Sequence, residues 1–268
     1  MKKKILPSVF IVLVLLVIYL PILVLAVYSF TTSPNIGAIH GFSMENYKTL
    51  FTNEDLRNMI LGTLLLAFSS AILATILGSM GAIGSFYAKK GPRNVVKALN
   101  QIPVVNADVV TGFSICIALV VVIGIPKTTY IPLVLGHTVL SAPFVYLSVM
   151  PKLRQMDSSL YEAALDLGAT PSQALRKVVI PSIMPGIISG FAMSLTLSLD
   201  DYFVANYTKP TTFDTISTYV VNATRGSQTS IKTALWALST LIFVVVVLVV
   251  VFANVAQGKG KGETKHAK

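Results

Sequence analysis

Charged side chains are scarce in this chain of 268 residues. Asp, Glu, Lys and Arg make up only 12% of the sequence, whereas a soluble domain carries about 25%. Hydrophobic residues reach 54%, and several apolar runs approach the length of a membrane-spanning helix. This composition excludes an ordinary soluble domain and indicates an integral membrane protein.

Cysteine and catalytic patterns are also nearly absent. The single cysteine, Cys116, excludes an internal disulfide. The phosphate-binding pattern Gly-x-x-x-x-Gly-Lys-Ser/Thr does not occur, so the chain cannot hydrolyse ATP by that chemistry. No pairing of a nucleophile with a base is apparent, and His137 has no companion metal ligand. We therefore expect no enzyme, no catalytic residue, no metal site and no cofactor bound by this chain, and a packing or hydrogen-bonding role for His137.

The net charge of +10 does not indicate a nucleic-acid partner. The basic residues lie in short loops beside apolar segments, and no stretch interleaves basic with aromatic residues. The expected partner of most of this surface is the lipid bilayer.

The apolar pattern predicts an all-α membrane protein that forms a single transmembrane domain over residues 1–268. It has six transmembrane helices, a polar loop at 151–180 and a disordered basic tail at 258–268. The predicted spans are about 5–30, 59–87, 95–123, 131–150, 181–205 and 233–253. The third span is expected to break near Pro103.

The distribution of basic residues predicts the orientation of these spans. If the N-terminus is cytoplasmic, 15 of the 21 Lys and Arg residues fall in the termini and loops on the inner side. This bias agrees with the positive-inside rule. We therefore expect a multi-pass protein of the bacterial cell membrane with both termini, and the loop at 151–180, in the cytoplasm.

The polar loop at 151–180 has the local chemistry of a helix-turn-helix. Ser158 or Ser159 can cap a short helix that runs to Leu167. Gly168 permits the positive φ that ends this helix, and Pro171 suits the first turn of the next helix after Thr170 as its cap. We call residues 151–180 the coupling loop, after the role implied by the resemblance described next.

Within the coupling loop, Glu162-Ala163-Ala164, three further residues, Gly168-Ala169, and finally Pro181 just beyond it form a recognisable pattern. It resembles the EAA loop of the membrane subunits of binding-protein-dependent ABC importers. The resemblance implies the type I (MetI-like) permease fold. It also implies that Glu162, Ala163, Ala164, Gly168, Ala169 and Pro181 couple the spans to a separate ATPase.

Further stretches resemble the polyamine permeases of this class, which carry spermidine and putrescine. They are Tyr28-Ser29-Phe30, Glu45-Asn46-Tyr47 and the run Leu197-Ser198-Leu199-Asp200-Asp201. The resemblance implies that the chain forms half of a translocation pathway. The implied partners are a second, homologous permease subunit, two ATPase subunits that hold ATP and Mg²⁺, and an extracellular polyamine-binding protein.

Three aspartates are candidates for the cargo pathway. A carboxylate inside the bilayer costs about 2.5–3.5 kcal/mol on insertion scales, so it is a functional hypothesis by default. Asp108 lies about 13 residues, or ~20 Å along a straight helix, into the third span. Asp200 and Asp201 lie near the outer end of the fifth span. Adjacent helical residues diverge by about 100°, so only one of this pair faces a common path, and the sequence does not say which.

Aromatic residues beside these aspartates complete the predicted pathway. A polyamine offers ammonium groups to carboxylates and methylene groups to aromatic faces, and Tyr202, Phe203 and Tyr207 can supply those faces. Structural hydrogen bonding by Asp108, and solvated charges at a helix end for Asp200 and Asp201, remain alternatives. An importer of ferric iron, thiamine or a similar solute is a second reading, and an ion-coupled carrier without an ATPase is a third.

Overall fold

We describe a computed structural model of the chain at residues 2–31, 41–157, 159–225, 234–244 and 247. All regular secondary structure in these ranges is helical, as predicted. In chain order the helices are α1 Lys2–Ser29, α2 Glu45–Thr52, α3 Glu54–Tyr87, α4 Lys90–Val105, α5 Asp108–Cys116, α6 Ile131–Gln155, α7 Ser159–Asp166, α8 Pro171–Ala174, α9 Ile180–Asp200, α10 Phe203–Thr208, α11 Ile216–Arg225 and α12 Ala234–Val244. A π-helical segment, Ile117–Val122, extends α5, and another, Leu175–Val179, joins α8 to α9.

Several of these helices are suited to a bilayer, as expected for a multi-pass membrane protein. The stretches long and apolar enough to cross it are Val9–Ser29, Glu54–Tyr87, Ile131–Gln155 and Pro171–Asp200, with a fifth if the bent pair α4 and α5 is one span. The predicted sixth span, 233–253, is described only at α12 and residue 247. The predicted tail, 258–268, lies outside the described residues.

The third predicted span, 95–123, is not one straight helix. Helix α4 begins at Lys90 and contains Pro103, whereas the chain breaks at Asn106 and Ala107 and turns by 112° into α5. Pro103 cannot donate a backbone N–H to the carbonyl of Leu99 one turn earlier, and the helix ends three residues after it, where the backbone N–H of Asn106 bonds the carbonyl of Ile102 at 3.1 Å. The depth of ~20 Å expected for Asp108 along a continuous helix therefore does not apply.

The fifth predicted span, 181–205, is shifted toward the N-terminus. Its helix runs from Pro171 to Asp200, through the π-helical segment and past Pro181. Pro181 lacks a backbone N–H, and the wider π turn directly before it absorbs the disturbed hydrogen-bond ladder. The helix ends early because the chain turns at Asp201 and starts α10. Helix α6 also extends beyond its predicted end at residue 150, to Gln155.

The chain divides into two compact units, residues 58–219 and residues 1–57 with 220–268. In the unit 58–219, the buried core includes Val145, Val149 and Leu153 of α6. Glycines let its helices approach closely: a Cβ on Gly190 of α9 would lie only 3.0 Å from Cγ1 of Val145. Small residues are the usual means of tight helix packing in a bilayer, where the hydrophobic effect does not drive association.

In the other unit, the end of α1 is capped by the start of α2. The Asn46 side chain donates to the carbonyl oxygens of Ser29 and Thr31, at 2.8 and 2.7 Å. These bonds satisfy carbonyls that the end of a helix leaves without partners. The Trp236 ring of α12 packs edge-on against the Tyr28 ring of α1, with ring centroids 5.7 Å apart.

Candidate substrate cavity and coupling loop

The short helix α10 shapes the candidate site because it is wedged against α5 and α6. Val204 of α10 is fully buried, and a Cβ on Gly112 of α5 would lie 3.1 Å from its Cα. A Cβ on Gly136 of α6 would lie 2.9 Å from a methyl group of the same valine. The two glycines make room for a helix that turns back immediately after α9.

Asp201 is the residue that makes this turn. Its carboxylate accepts the backbone N–H groups of Val204 and Ala205, at 3.3 and 2.8 Å. An aspartate in this position caps the exposed N–H groups that begin a helix. Its side chain is only 7% exposed, so most of its bonding capacity is directed into the protein.

A cavity of about 330 Å³ lies beside this turn. That volume is at the lower end of the range for small-molecule sites, roughly 300–1,000 Å³. The apolar and aromatic walls come from α4, α6 and α9, and the acidic groups stand where α5 begins and α9 ends. The lining residues are Pro103, Val104, Asp108, Leu140, Phe144, Thr196, Leu197, Asp200, Asp201, Tyr202 and Phe203.

Five of the six residues predicted for the pathway line this one cavity. Asp108 and Asp200 have exposed side chains there. Tyr202 and Phe203 stand edge to face, with ring centroids 5.2 Å apart. The sixth, Tyr207, is not in the lining and instead packs against Phe113 of α5 at 5.6 Å.

The bend between α4 and α5 puts Asp108 in the first turn of α5. The N-terminus of a helix carries partial positive charge, which stabilises an acidic side chain in that turn. The first turn of α5 therefore offers Asp108 a favourable electrostatic environment beside the cavity without a basic side chain. Lys and Arg form no ion pair with Asp108 or Asp200 among the residues described.

A buried polar chain runs behind the cavity. Nδ1 of His137 in α6 lies 2.9 Å from Oγ of Ser198 in α9, which lies 3.0 Å from Oγ of Ser70 in α3. Nε2 of the same ring faces the Asp201 carboxylate at 3.7 Å, too far for a hydrogen bond. The predicted packing and hydrogen-bonding role of His137 is confirmed.

The coupling loop forms the predicted helix-turn-helix. Gly168 has φ of +85°, and the backbone N–H groups of Gly168 and Ala169 bond the carbonyls of Leu165 and Ala164. This is the Schellman arrangement that ends α7. The side chains of Thr170 and Gln173 then form a reciprocal capping box at the start of α8.

The start of α7 is held by an acidic side chain. The backbone N–H of Ser159 donates to Oδ1 of Asp157 at 3.0 Å. This bond to the ionised form lowers the pKa of Asp157 below its ordinary value. The preceding residue, Ser158, which the sequence offered as an alternative cap, lies outside the described residues.

One side of the coupling loop packs on the core, and the other is exposed. Tyr161 and Leu175 lie against the cluster that contains Val149 and Ile183, and the Tyr161 ring contacts Tyr87 of α3 at 5.1 Å. Glu162 and Ala163 are exposed on α7. These contacts connect the loop to α3, α6 and α9.

Sequence reasoning missed two residues of these sites. Leu167 is 89% exposed at the tip of the coupling loop, where its position directly before the predicted glycine turn could have revealed it. Phe144 adds an aromatic wall to the cavity. Nothing local distinguishes Phe144 from other apolar residues of α6.

The fold and the two sites define a helical membrane protein with an acidic cavity and an exposed loop of two short helices. The sequence matches the family of binding-protein-dependent transport system inner membrane components over residues 74–260. That match spans more than half of the chain, so the chain belongs to this family of importer permeases. The family consists of transport subunits rather than enzymes.

Relatives and solved structures agree with this assignment. The spermidine/putrescine transport system permease protein PotC of Haemophilus influenzae is 29% identical over 97% of this chain and 99% of its own length. The putrescine transport system permease protein PotI of Escherichia coli K12 is 33% identical over 84% and 81%. A chain of a bacterial alginate ABC transporter, crystallised with an alginate pentasaccharide-bound periplasmic protein, has a TM-score of 0.69 at 20% identity, covering 92% and 91%. At that identity the last similarity concerns the fold alone.

Proposed function

We propose that this chain is a permease subunit of an ATP-driven importer of polyamines and forms half of the translocation pathway. The observation that carries the proposal is the cavity, where Asp108 and Asp200 stand exposed beside Tyr202 and Phe203. The names of the PotC and PotI relatives support the same cargo class.

In this proposal, the ammonium groups of the polyamine bind to Asp108 and Asp200 rather than to Asp201. Asp201 is occupied as the cap of α10 and is nearly buried, whereas the other two carboxylates are open to the cavity. Separate carboxylates suit a linear polycation, whose charges are spaced by methylene groups. Phe144 and Leu140 offer apolar surface to those methylenes, and the aromatic rings add cation–π attraction.

The proposed topology has six spans, with both termini and the coupling loop in the cytoplasm. A second, homologous permease subunit completes the pathway, and an extracellular polyamine-binding protein delivers the cargo. Two ATPase subunits dock on the exposed face of the coupling loop around Glu162, Ala163 and Leu167. ATP and Mg²⁺ are held by those partners, and hydrolysis takes place there.

Transport proceeds by alternating access. Closure of the ATPase dimer moves the coupling loops, and the packing of Tyr161 and Leu175 on the core passes this movement to α6 and α9. Asp200 ends α9 and Asp108 begins α5 after a sharp bend, so a shift of α9 changes the spacing of the two carboxylates. The cavity thereby exchanges between a form that accepts a polyamine and one that releases it.

Uptake by the assembled transporter tests the cargo. The chain is reconstituted with its partner permease, ATPase and binding protein, and labelled spermidine, putrescine, thiamine and ferric iron are offered separately. We expect ATP-dependent uptake of the two polyamines only. Uptake of thiamine or iron instead would contradict the cargo, and uptake by this chain alone along an ion gradient would contradict the mechanism.

A further inference from the structure

Helix α4 has two chemically opposite faces. Val95, Leu99 and Ile102 follow one another at helical spacing, and each is 57–60% exposed. Lys90, Arg93 and Lys97 also recur at helical spacing, on the opposite side of the helix. No residue of α4 is buried, so neither face is explained by packing within the unit 58–219.

The basic face of α4 lines a second cavity, of about 370 Å³, against the last turns of α6. Lys97, Asn100 and Gln101 stand on the α4 side, and Arg154 stands on the α6 side with Leu147 and Met150. The Asn100 side chain donates to the carbonyl of Pro143 at 3.3 Å, which ties the two helices together. We call this cavity the basic groove.

The charge of the basic groove is uncompensated. Between Asp108 and Asp157, and between Asp55 and Asp108, the sequence contains no acidic residue. Neither Lys97 nor Arg154 forms an ion pair in the described part of the chain. Two cations beside amide donors form a site for an anion, and for a phosphate group in particular. A polyamine would be repelled, so the groove does not belong to the substrate cavity.

The positions of the charged and apolar lining residues along α6 indicate which phosphate compound fits the groove. Leu147 lies seven residues before Arg154 on α6, about 10 Å along the helix axis. The charged groups therefore stand at the end of a membrane span, and the apolar wall lies deeper. A phospholipid has the same order, with its phosphate at the interface and its acyl chains below. Free phosphate would leave the apolar wall without a partner.

We propose that the basic groove binds one anionic phospholipid, with its phosphate between Lys97 and Arg154 and an acyl chain along Leu147. In the proposed orientation this lipid belongs to the cytoplasmic leaflet. The apolar stripe of Val95, Leu99 and Ile102 contacts neighbouring acyl chains and holds α4 at the membrane interface.

The test measures lipid binding by the assembled transporter in neutral detergent. Phosphatidylglycerol or phosphatidylcholine is titrated into the complex, and bound lipid is counted by native mass spectrometry. We expect the Lys97→Gln/Arg154→Gln variant to bind phosphatidylglycerol about tenfold or more weakly at one site per chain. Arg57→Gln/Lys127→Gln removes the same charge elsewhere and should bind like the unaltered complex.

Further arms distinguish the alternatives. Lys97→Arg/Arg154→Lys keeps both charges and should retain the lipid, which separates loss of charge from misfolding. Equal binding by the Gln variant, or equal affinity for phosphatidylcholine, would overturn the proposal. Displacement of the lipid by millimolar inorganic phosphate would assign the groove to a free anion. Loss of the ATPase from the Gln variant with lipid binding unchanged would assign it to protein docking.

Discussion

At the scale of single residues, the three aspartates have different surroundings although they line one cavity. Asp201 bonds two backbone N–H groups and is nearly buried. The carboxylates of Asp108 and Asp200 are exposed. The sequence named all three because acidic residues near a bilayer are rare. The sequence could not distinguish Asp201 from the other two. Asp201 caps α10 only because the chain turns there, and no local sequence pattern predicted that turn.

This difference predicts that substitutions at Asp200 and Asp201 affect different properties, namely uptake and stability. Asp201→Ala removes the cap of α10 and should destabilise the fold by about 1 kcal/mol, seen as a lower midpoint of thermal unfolding of the assembled transporter. Asp200→Ala removes no backbone hydrogen bond in the described structure and should leave that midpoint unchanged while weakening uptake. Equal midpoints for the two variants would refute the division of roles.

The buried polar chain yields a second prediction at this scale. His137→Leu removes the ring that bonds Ser198 and leaves the Ser198 hydroxyl with fewer partners in the core. A buried polar group that loses its partner costs about 1–3 kcal/mol. The double variant His137→Leu/Ser198→Ala should be less destabilised than the sum of the single variants, because the two side chains share one bond. Strict additivity in thermal unfolding would show that the contact contributes nothing.

At the scale of elements, the coupling loop and a break near Pro103 were predictable, whereas the angle of that break and the true start of the fifth span were not. Gly168, Thr170 and Pro171 act on their immediate backbone, so their types alone predicted the turn, the cap and the start of α8. The 112° bend between α4 and α5 and the continuity of α8 with α9 depend on neighbours. Pro103 correctly indicated a nearby break, whereas Pro181 misled the prediction because a proline disturbs a helix without always ending it.

The turn at Gly168 provides a prediction with an internal control. Proline cannot adopt its φ of +85°, and it would also remove the N–H that bonds Leu165. Gly168→Pro should therefore uncouple ATP hydrolysis from uptake. Gly124 has a φ of +80° in a loop before α6, so Gly124→Pro imposes similar strain outside the coupling loop. We expect that variant to keep the ratio of uptake to hydrolysis, measured in proteoliposomes. Preserved coupling in Gly168→Pro would remove the proposed role of the loop.

At the scale of the whole molecule, composition predicted the class of protein, and the cavity supports the proposal of a polyamine cargo. A low charge content and long apolar runs predicted a multi-pass helical membrane protein. In the proposed function, the energy source is a separate ATPase subunit. The gathering of Asp108, Asp200, Tyr202 and Phe203 required the fold, since Asp108 is far in sequence from the other three within the unit 58–219.

The most direct test of this account is ATP-driven spermidine uptake by the assembled transporter that carries Asp108→Asn and Asp200→Asn together. Each carboxylate lost removes a charged hydrogen bond, so the account predicts that the KM for spermidine rises at least about tenfold. The ATPase should still co-purify, and Asp55→Asn, which removes a charge outside the cavity, should behave like the unaltered transporter. An unchanged KM in the double variant would contradict the assignment of the cavity to polyamine.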